Sequence, residues 1–352
     1  MITYIITKTK IFIASNKKFL KKLLFILFYI ISIIGLSFIS KINFNSKNSN
    51  LSGIYSNYDT LIIKYKIPSE IYFCNERVPI EYFDVYESLD REILYYTYFH
   101  SHTILGLKRS FRFFPIIEKI LKEHDLPLDL KYLAVVESNL FIPSISNKGA
   151  VGIWQFMEST AKKYGLIIND EIDERYHIEK STHAACKYLK DLYKLFNSWT
   201  LACAAYNLGE TALLKSIQKQ KVNNYFNLRL NLETSRFVYR IIAAKLIYEN
   251  PEKFGFYIPK NDKYFPIFFK KIKVDTTIND LSEFSLNYGS NYKLLKLLNP
   301  WILGYKLSAN KNKPYELYII DTTSRYLKYI QNIYFEENYN SKIESITNDS
   351  LF

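Results

Sequence analysis

The stretch Leu128-Asp129-Leu130-Lys131-Tyr132-Leu133-Ala134-Val135-Val136-Glu137-Ser138 sets Leu130, Leu133, Ala134 and Glu137 at i, i+3, i+4 and i+7. A helix here carries a carboxylate on an otherwise apolar face, which predicts that Glu137 is at least partly buried. Loss of water disfavours the charged form, and the negative end of the helix dipole acts in the same sense, so its pKa should rise. A carboxylic acid protonated near neutral pH can protonate a leaving oxygen. Taken alone, the segment fits equally well an amphipathic helix whose last turn exposes a glutamate.

Helical spacing of apolar residues continues outward from about Leu89 to Ile247, with no alternating strand pattern of useful length. A helix start is expected at Asp125-Leu126-Pro127, with Asp as cap and Pro in the first turn, and a short helix containing Ser159-Thr160 should end on Gly165. Pro251 and Gly255 close this α-helical domain. Beyond it, Phe268–Val274 reads as a strand, Ile278–Tyr288 and Tyr292–Leu298 as short helices, and Tyr315–Ile320 as a second strand. The tail from about Ser324 is polar and aromatic without usable periodicity. The fold class expected is mainly α, a helical domain followed by a small α+β module of order βααβ.

At the amino terminus, Lys17, Lys18, Lys21 and Lys22 precede the uncharged run Leu23–Ser40, long enough to cross a bilayer as a helix. Positive charge on its amino-terminal side keeps residues 1–18 cytoplasmic and sends the body of the chain outward, with 19–40 as signal anchor and 41–69 as a polar tether. Phe38-Ile39-Ser40 offers a small residue at only one of the two positions that a signal peptidase prefers, which leaves both an anchored and a cleaved, exported chain open, and no lipid-attachment cysteine follows.

With 352 residues and 48% hydrophobic content, the chain has room for one sizeable core plus a smaller module. The formal charge of +13 could mark a polyanionic partner. No compact Lys/Arg stripe interleaved with aromatics appears, however, and the Lys, Ile, Asn, Tyr and Phe richness is what AT-rich codons produce, so nucleic acid is not an expected partner. Cys74, Cys186 and Cys203 form no CxxC pair and read as buried thiols, although Cys186 and Cys203 could approach if their helices pack. His177 and His183 lack the HExxH spacing. No metal or other cofactor is expected, and neither a GxSxG elbow nor a GxxxxGK phosphate loop is present.

Two further segments bear on Glu137. Ser146-Asn147-Lys148-Gly149-Ala150-Val151-Gly152-Ile153-Trp154-Gln155 places two glycines, which let backbone approach a ligand, before an aromatic and an amide. Trp154 could stack on a sugar face and Gln155 could hydrogen-bond its polar groups. Ala204-Ala205-Tyr206-Asn207-Leu208-Gly209 ends a helix on an aromatic hydroxyl, an amide and a capping glycine.

In order, these pieces resemble the lytic murein transglycosylase family, most closely its membrane-bound D type. The resemblance runs through Glu137-Ser138, Ser146, Gly149-Ala150, Gly152 to Gln155, Thr160-Ala161, Tyr164-Gly165-Leu166, Ala205-Tyr206-Asn207, Gly209, Glu233-Thr234 and Arg236-Phe237-Val238. It covers about residues 70–258 and implies a lysozyme-like (SLT, goose-lysozyme-like) helical catalytic domain. Glu137 would protonate the glycosidic oxygen between N-acetylmuramic acid and N-acetylglucosamine in peptidoglycan. It would then deprotonate the muramoyl C6 hydroxyl, which attacks C1 and leaves a 1,6-anhydro end. Ser138 and Ser146 match positions at the reactive centre; Gln155, Tyr206 and Asn207 match sugar-contacting ones. Gly149, Gly152 and Trp154 complete the expected substrate-binding set. Where this family commonly has Tyr, this chain has Phe237, removing a hydroxyl near the acid; Tyr239 lies on another helical face and Tyr206 remains.

Residues 265–322 resemble a LysM domain, a βααβ glycan-binding fold, through Asp275-Thr276-Thr277-Ile278 to Phe284 and Asn299-Pro300, with Val274 where the usual opening has Gly. Residues 323–352 form the tail. The expected setting is the cell envelope, with the catalytic domain extracytoplasmic and peptidoglycan strands and the membrane as partners. Two alternatives stand beside this reading. One is a goose-type hydrolase, which would need a second carboxylate such as Glu158, Asp170, Asp173 or Glu174 to activate water; the run Asp173-Glu174-Arg175 reads more naturally as a salt-bridged turn. The other is a non-catalytic peptidoglycan-binding protein.

Overall fold

The computed structural model describes residues 65–335 apart from 323. The expected membrane anchor at 19–40, nearly all of the tether and the end of the tail lie outside the described residues. No helix among the described residues is long and apolar enough to cross a membrane.

The helical domain opens with a hairpin that periodicity did not announce, β1 (Ile71–Phe73) antiparallel to β2 (Glu76–Val78). Its turn is tied to the helix carrying Glu137: the Cys74 N–H donates to Asp129 Oδ2 at 2.7 Å, and Lys245 holds the other oxygen at 2.7 Å. Glu76 accepts from Trp199 N, Thr200 N and the Ser198 and Thr200 hydroxyls. A carboxylate there satisfies the free N–H groups at the positive end of a helix, α6 below.

Helices α1 (Phe83–Tyr98) and α2 (His100–Glu123) precede α3 (Lys131–Ser138), the expected bearer of Glu137. The expected Asp cap is not made. Asp125 sits at φ 53, and Pro127 precedes a single 3-10 turn, Leu128–Leu130, that leads straight into α3. After a short α4 (Glu158–Lys163) come α5 (Ile178–Phe196), α6 (Trp199–Leu208), α7 (Glu210–Gln220) and α8 (Leu232–Glu249). Helix α8 is the hub, packing on α1, α3 and α6. Its Val238, Ile241, Ile242 and Ala244 are wholly buried, and burying an Ile or Val side chain contributes about 1.5–3 kcal/mol. The buried Glu92 of α1 meets this hub through Arg236 (2.8 Å) and Arg240 (3.4 Å), with Arg91 at 2.9 Å. Cys74, Cys186 and Cys203 are free and buried, as apolar thiols.

The carboxy-terminal module has the expected order: β3 (Lys270–Val274), α9 (Leu281–Asn287), α10 (Tyr292–Leu298) and β4 (Tyr315–Ile319). The strands pair antiparallel, Lys270 opposite Ile319 and Val274 opposite Tyr315. Asn299 is wholly buried and locks α10 to β4, donating to Leu295 O (2.8 Å) and Tyr318 O (2.7 Å) and accepting from Tyr318 N (2.8 Å). The module is not an appendage. Ile172 of the helical domain lies in the module's own apolar cluster, Asp173 N donates to Trp301 O (2.8 Å) and Leu303 N to Glu171 O (2.8 Å). In the tail, which showed no usable periodicity, residues Leu327–Phe335 form a further helix, α11. Polar and aromatic residues there obscure the helical period.

Candidate active site

Glu137 stands in the last turn of α3, whose C-cap, Asn139, takes the left-handed conformation at φ 52. Helix α2 clamps that cap. Asn139 Nδ2 donates to His102 O (2.8 Å), and Arg109 Nη1 donates to Asn139 O (3.1 Å). Gly106 permits the approach, since a Cβ there would lie 2.1 Å from Asn139 Oδ1. Ser138 Oγ donates to Ile153 O at 2.9 Å, stitching the acid's helix to the loop that follows.

The Glu137 side chain keeps some exposure at the surface, yet protein atoms crowd the carboxyl. It has no hydrogen-bond or ion-pair partner among the described residues. Burial, aided by the nearby charge of Glu233, raises its pKa from 4.5 to about 8. A carboxyl in this state carries its proton at neutral pH and can give it away. Beside it runs a groove of about 500 Å³, lined by residues that include Leu105, Arg109, Phe141 and Ser144.

The glycine-bearing loop forms the next wall. Ser146 Oγ accepts from Ala150 N (3.0 Å), and Gly149 stands exposed at φ +83. Gln155, at φ 48, donates from its amide nitrogen to Ser144 O (3.2 Å) and Gly152 O (2.8 Å), so its carbonyl oxygen is the group left for a ligand. Two expectations fail here. Trp154 is 0% exposed and its Nε1 donates to Thr182 Oγ1 at 2.8 Å; an indole enclosed in the core has no face to offer a sugar. Gly152 is buried, and a Cβ on it would stand 2.1 Å from Arg175 O, so its small size serves packing rather than a ligand.

Helix α6 carries Tyr206 and Asn207, and Tyr206 lies near enough to Glu137 for the two groups to interact electrostatically. The Tyr206 hydroxyl, a position expected to contact sugar, donates to Trp154 O at 2.7 Å and is thus engaged with the loop. Burial pushes the Tyr206 pKa well up, with Glu137 the next cause. Asn207 bridges Glu233 (Nδ2 to Oε1, 3.2 Å) and Thr234 (from Oγ1, 2.8 Å), and Lys148 reaches Glu233 at 3.8 Å. Phe237 is buried, and Tyr239 packs on Tyr225 and Phe226, with ring centroids 5.7 and 5.9 Å away.

Sequence reasoning missed three contributors. Glu233 was noted within its motif, but not as the charge that acts on Glu137. Arg175, inside the expected salt-bridged turn, pairs with Asp173 (2.7 Å) and also reaches Gly149 O (3.1 Å) and Phe156 O (3.2 Å), fixing the loop. Arg109 lies 28 positions before the acid and carries no motif. The carboxylates considered as water-activating bases are otherwise committed: Glu174 to Lys180 (2.5 Å) and Glu158 to Lys162 (2.6 Å), while Asp170 is exposed. Among the described residues no three His, Cys, Asp or Glu side chains converge as a metal site.

Residues 114–228 match the model of the transglycosylase SLT domain, and residues 270–322 that of the soluble lytic transglycosylase C-terminal LysM-like domain. The chain therefore carries a mainly helical SLT transglycosylase domain followed by a LysM-like domain. Membrane-bound lytic murein transglycosylase D of Escherichia coli (strain K12) is 29% identical over 195 residues, 54% of this chain and 42% of that one. The protein of the same name from Escherichia coli O6:H1 gives the same figures. This chain thus spans less than half the length of these curated relatives. A solved structure of an inactive mutant of lytic transglycosylase Slt from Pseudomonas aeruginosa aligns with a TM-score of 0.32 at 18% identity, over 43% of this chain and 26% of that one.

Proposed function

We propose that the protein is a peptidoglycan lytic transglycosylase acting in cell-wall remodelling, with Glu137 as its single acid and base. The observation that carries this reading is the Glu137 carboxyl, unpartnered beside an open groove and holding its proton up to about pH 8. That proton goes to the glycosidic oxygen as the bond to muramoyl C1 breaks. The carboxylate so formed takes the proton of the C6 hydroxyl as that oxygen bonds to C1, closing the 1,6-anhydro ring, and water is not consumed. Ser146, Gly149, the Gln155 carbonyl and Asn207 would serve as glycan contacts, while Ser138 holds the loop in register. The matched LysM-like domain supplies a second glycan-binding surface on the same strand. The segment 19–40, with its uncharged run Leu23–Ser40, would anchor the chain in a membrane of the cell envelope and place these domains outside the cytoplasm.

One observation favours a hydrolytic reading: Glu233, held by Asn207 and Lys148, lies near enough for its charge to act on Glu137, and a second carboxylate could activate water. Activity itself is tested by solubilisation of purified cell-wall sacculi by the wild type and by Glu137→Gln. Release of soluble fragments by the wild type, and a loss of at least about a thousandfold in the variant, is expected of an essential acid. Equal release by both would remove Glu137 from the chemistry, and no release by either would leave a non-catalytic wall-binding protein.

A further inference from the structure

We propose that Arg109, set over Phe141 in the groove beside Glu137, recognises a carboxylate carried by the glycan, so that the enzyme selects strands bearing acidic stem peptides. The inference rests on the reading of Glu137 as an acid acting on peptidoglycan and adds to it a subsite of defined charge.

Five observations lead there. The guanidinium lies 4.8 Å from the Phe141 ring centroid, and Phe141 is itself exposed. It spends one of its five donors on Asn139 O, which leaves the others for a ligand. Arg77, Arg91, Arg175, Arg236 and Arg240 pair with carboxylates; Arg109, like Arg112, has no carboxylate partner among the described residues, but of these two only Arg109 lines the groove beside Glu137. It is half-buried, and burial lowers its pKa, a sign that its charge lacks compensation from the protein. Finally, Arg109 and Glu137 line the same groove of about 500 Å³, a volume that suits one substituted sugar.

A partly desolvated guanidinium, braced on an aromatic ring and short of an anion, is suited to bidentate capture of a carboxylate. In the proposed substrate the sugar next to the cleaved bond bears a lactyl group extended by an acidic peptide. When that sugar seats against Glu137, the substituent points along the groove and a carboxylate meets Arg109. The same chemistry could come from a free lactyl carboxylate on strands stripped of peptide, and the substrates below separate the two sources.

The experiment uses full-length protein and three soluble glycan preparations of matched length: peptide-bearing, peptide-bearing with carboxyls converted to amides, and peptide-stripped with free lactyl carboxylates. For wild type, Arg109→Gln and Arg109→Lys, kcat/KM is measured on each. Binding of each is measured in parallel by calorimetry in a Glu137→Gln background, and thermal melting confirms folding. The wild type should prefer the peptide-bearing over the amidated strands by roughly tenfold, carried by KM. Arg109→Gln should erase that preference and Arg109→Lys should restore part of it. A wild-type preference for peptide-stripped strands that Arg109→Gln abolishes would assign the subsite to the lactyl carboxylate and overturn the peptide selectivity. An equal loss on charged and amidated strands, or no loss on either, would reduce Arg109 to a structural clamp on Asn139. If the wild type cleaves nothing, the reading of Glu137 fails, while the binding data still decide the charge preference of Arg109.

Discussion

Arg175 Nη1 donates to Gly149 O across 3.1 Å while its guanidinium pairs with Asp173 at 2.7 Å. A single side chain thereby joins the loop that docks into the LysM-like domain to the loop that walls the Glu137 cleft. Arg175→Met leaves the buried Asp173 without its guanidinium, keeping only the backbone N–H of residue 175 (3.0 Å), and frees Gly149 and Phe156. Breaking a buried ion pair from one side costs roughly 3–5 kcal/mol. Urea unfolding should show a loss of this size, and turnover should fall with it. A variant of unchanged stability and turnover would show that this connection does nothing.

Gly149 and Gly152 share nearly the same backbone, φ +83 and +82, but differ in surroundings. Alanine at 149 meets nothing within 4 Å, so only left-handed strain of about 1–2 kcal/mol applies. Alanine at 152 adds a collision with Arg175 O and should cost about 3 kcal/mol or more. Parallel melting curves check the difference; equal losses would mean that Gly152 is not packed as described.

Trp154→Phe removes the hydrogen bond to Thr182, whose hydroxyl keeps its own bond to Ile178 O at 2.6 Å, and leaves space where the larger indole packed. A stability loss of about 1–3 kcal/mol is expected, with KM for glycan little changed in the folded enzyme. A large rise in KM at unchanged stability would return Trp154 to the substrate surface.

The titration of Glu137 predicts two opposite-looking effects. As an acid it works protonated, so activity should hold below about pH 8 and fall above it. Removing the Glu233 charge with Glu233→Gln should move that fall to lower pH. For stability, the folded pKa lies above the ordinary value of 4.5. Below 4.5 the group is protonated in both folded and unfolded chains and has no effect. Between 4.5 and about 8 only the unfolded chain ionises freely, so stability declines with rising pH and levels off above 8. Glu137→Gln should therefore stabilise the protein by an increment that grows over this window, on the order of 1–3 kcal/mol since the carboxyl keeps some contact with water. Denaturant titrations of both proteins at pH 4.5 and pH 8 measure it, and a constant difference would contradict the burial argument.

The parts legible in the sequence were those with a local period or a local cap. The i, i+3, i+4, i+7 spacing at Leu130–Glu137 placed the acid on a buried helical face, and the strand, helix, helix, strand order of the carboxy-terminal module appeared with boundaries shifted by up to three residues. The Asp173-Arg175 pairing was legible because both ends of the bond lie in one turn. What escaped depended on distance along the chain. Arg175 to Gly149 spans 26 positions, and the Glu76 carboxylate caps a helix over 120 residues on. Trp154 misled because a loop aromatic after two glycines looks the same whether it faces solvent or core; its burial comes from Thr182 and α5, which no local window contains. The Asp125-Leu126-Pro127 signal failed in detail because Asp125 turns left-handed and leaves the start of α3 to a 3-10 turn.

The central claim is that one carboxyl, Glu137, serves as acid and then as base, with the substrate's own hydroxyl as nucleophile. Mass spectrometry of the muropeptides released from purified glycan strands tests it most directly. 1,6-Anhydromuramoyl ends, lighter by one water than the hydrolytic product, are expected from the wild type and none from Glu137→Gln. Reducing muramoyl ends throughout would contradict it and make the protein a hydrolase, with Glu233 as the first candidate for its base.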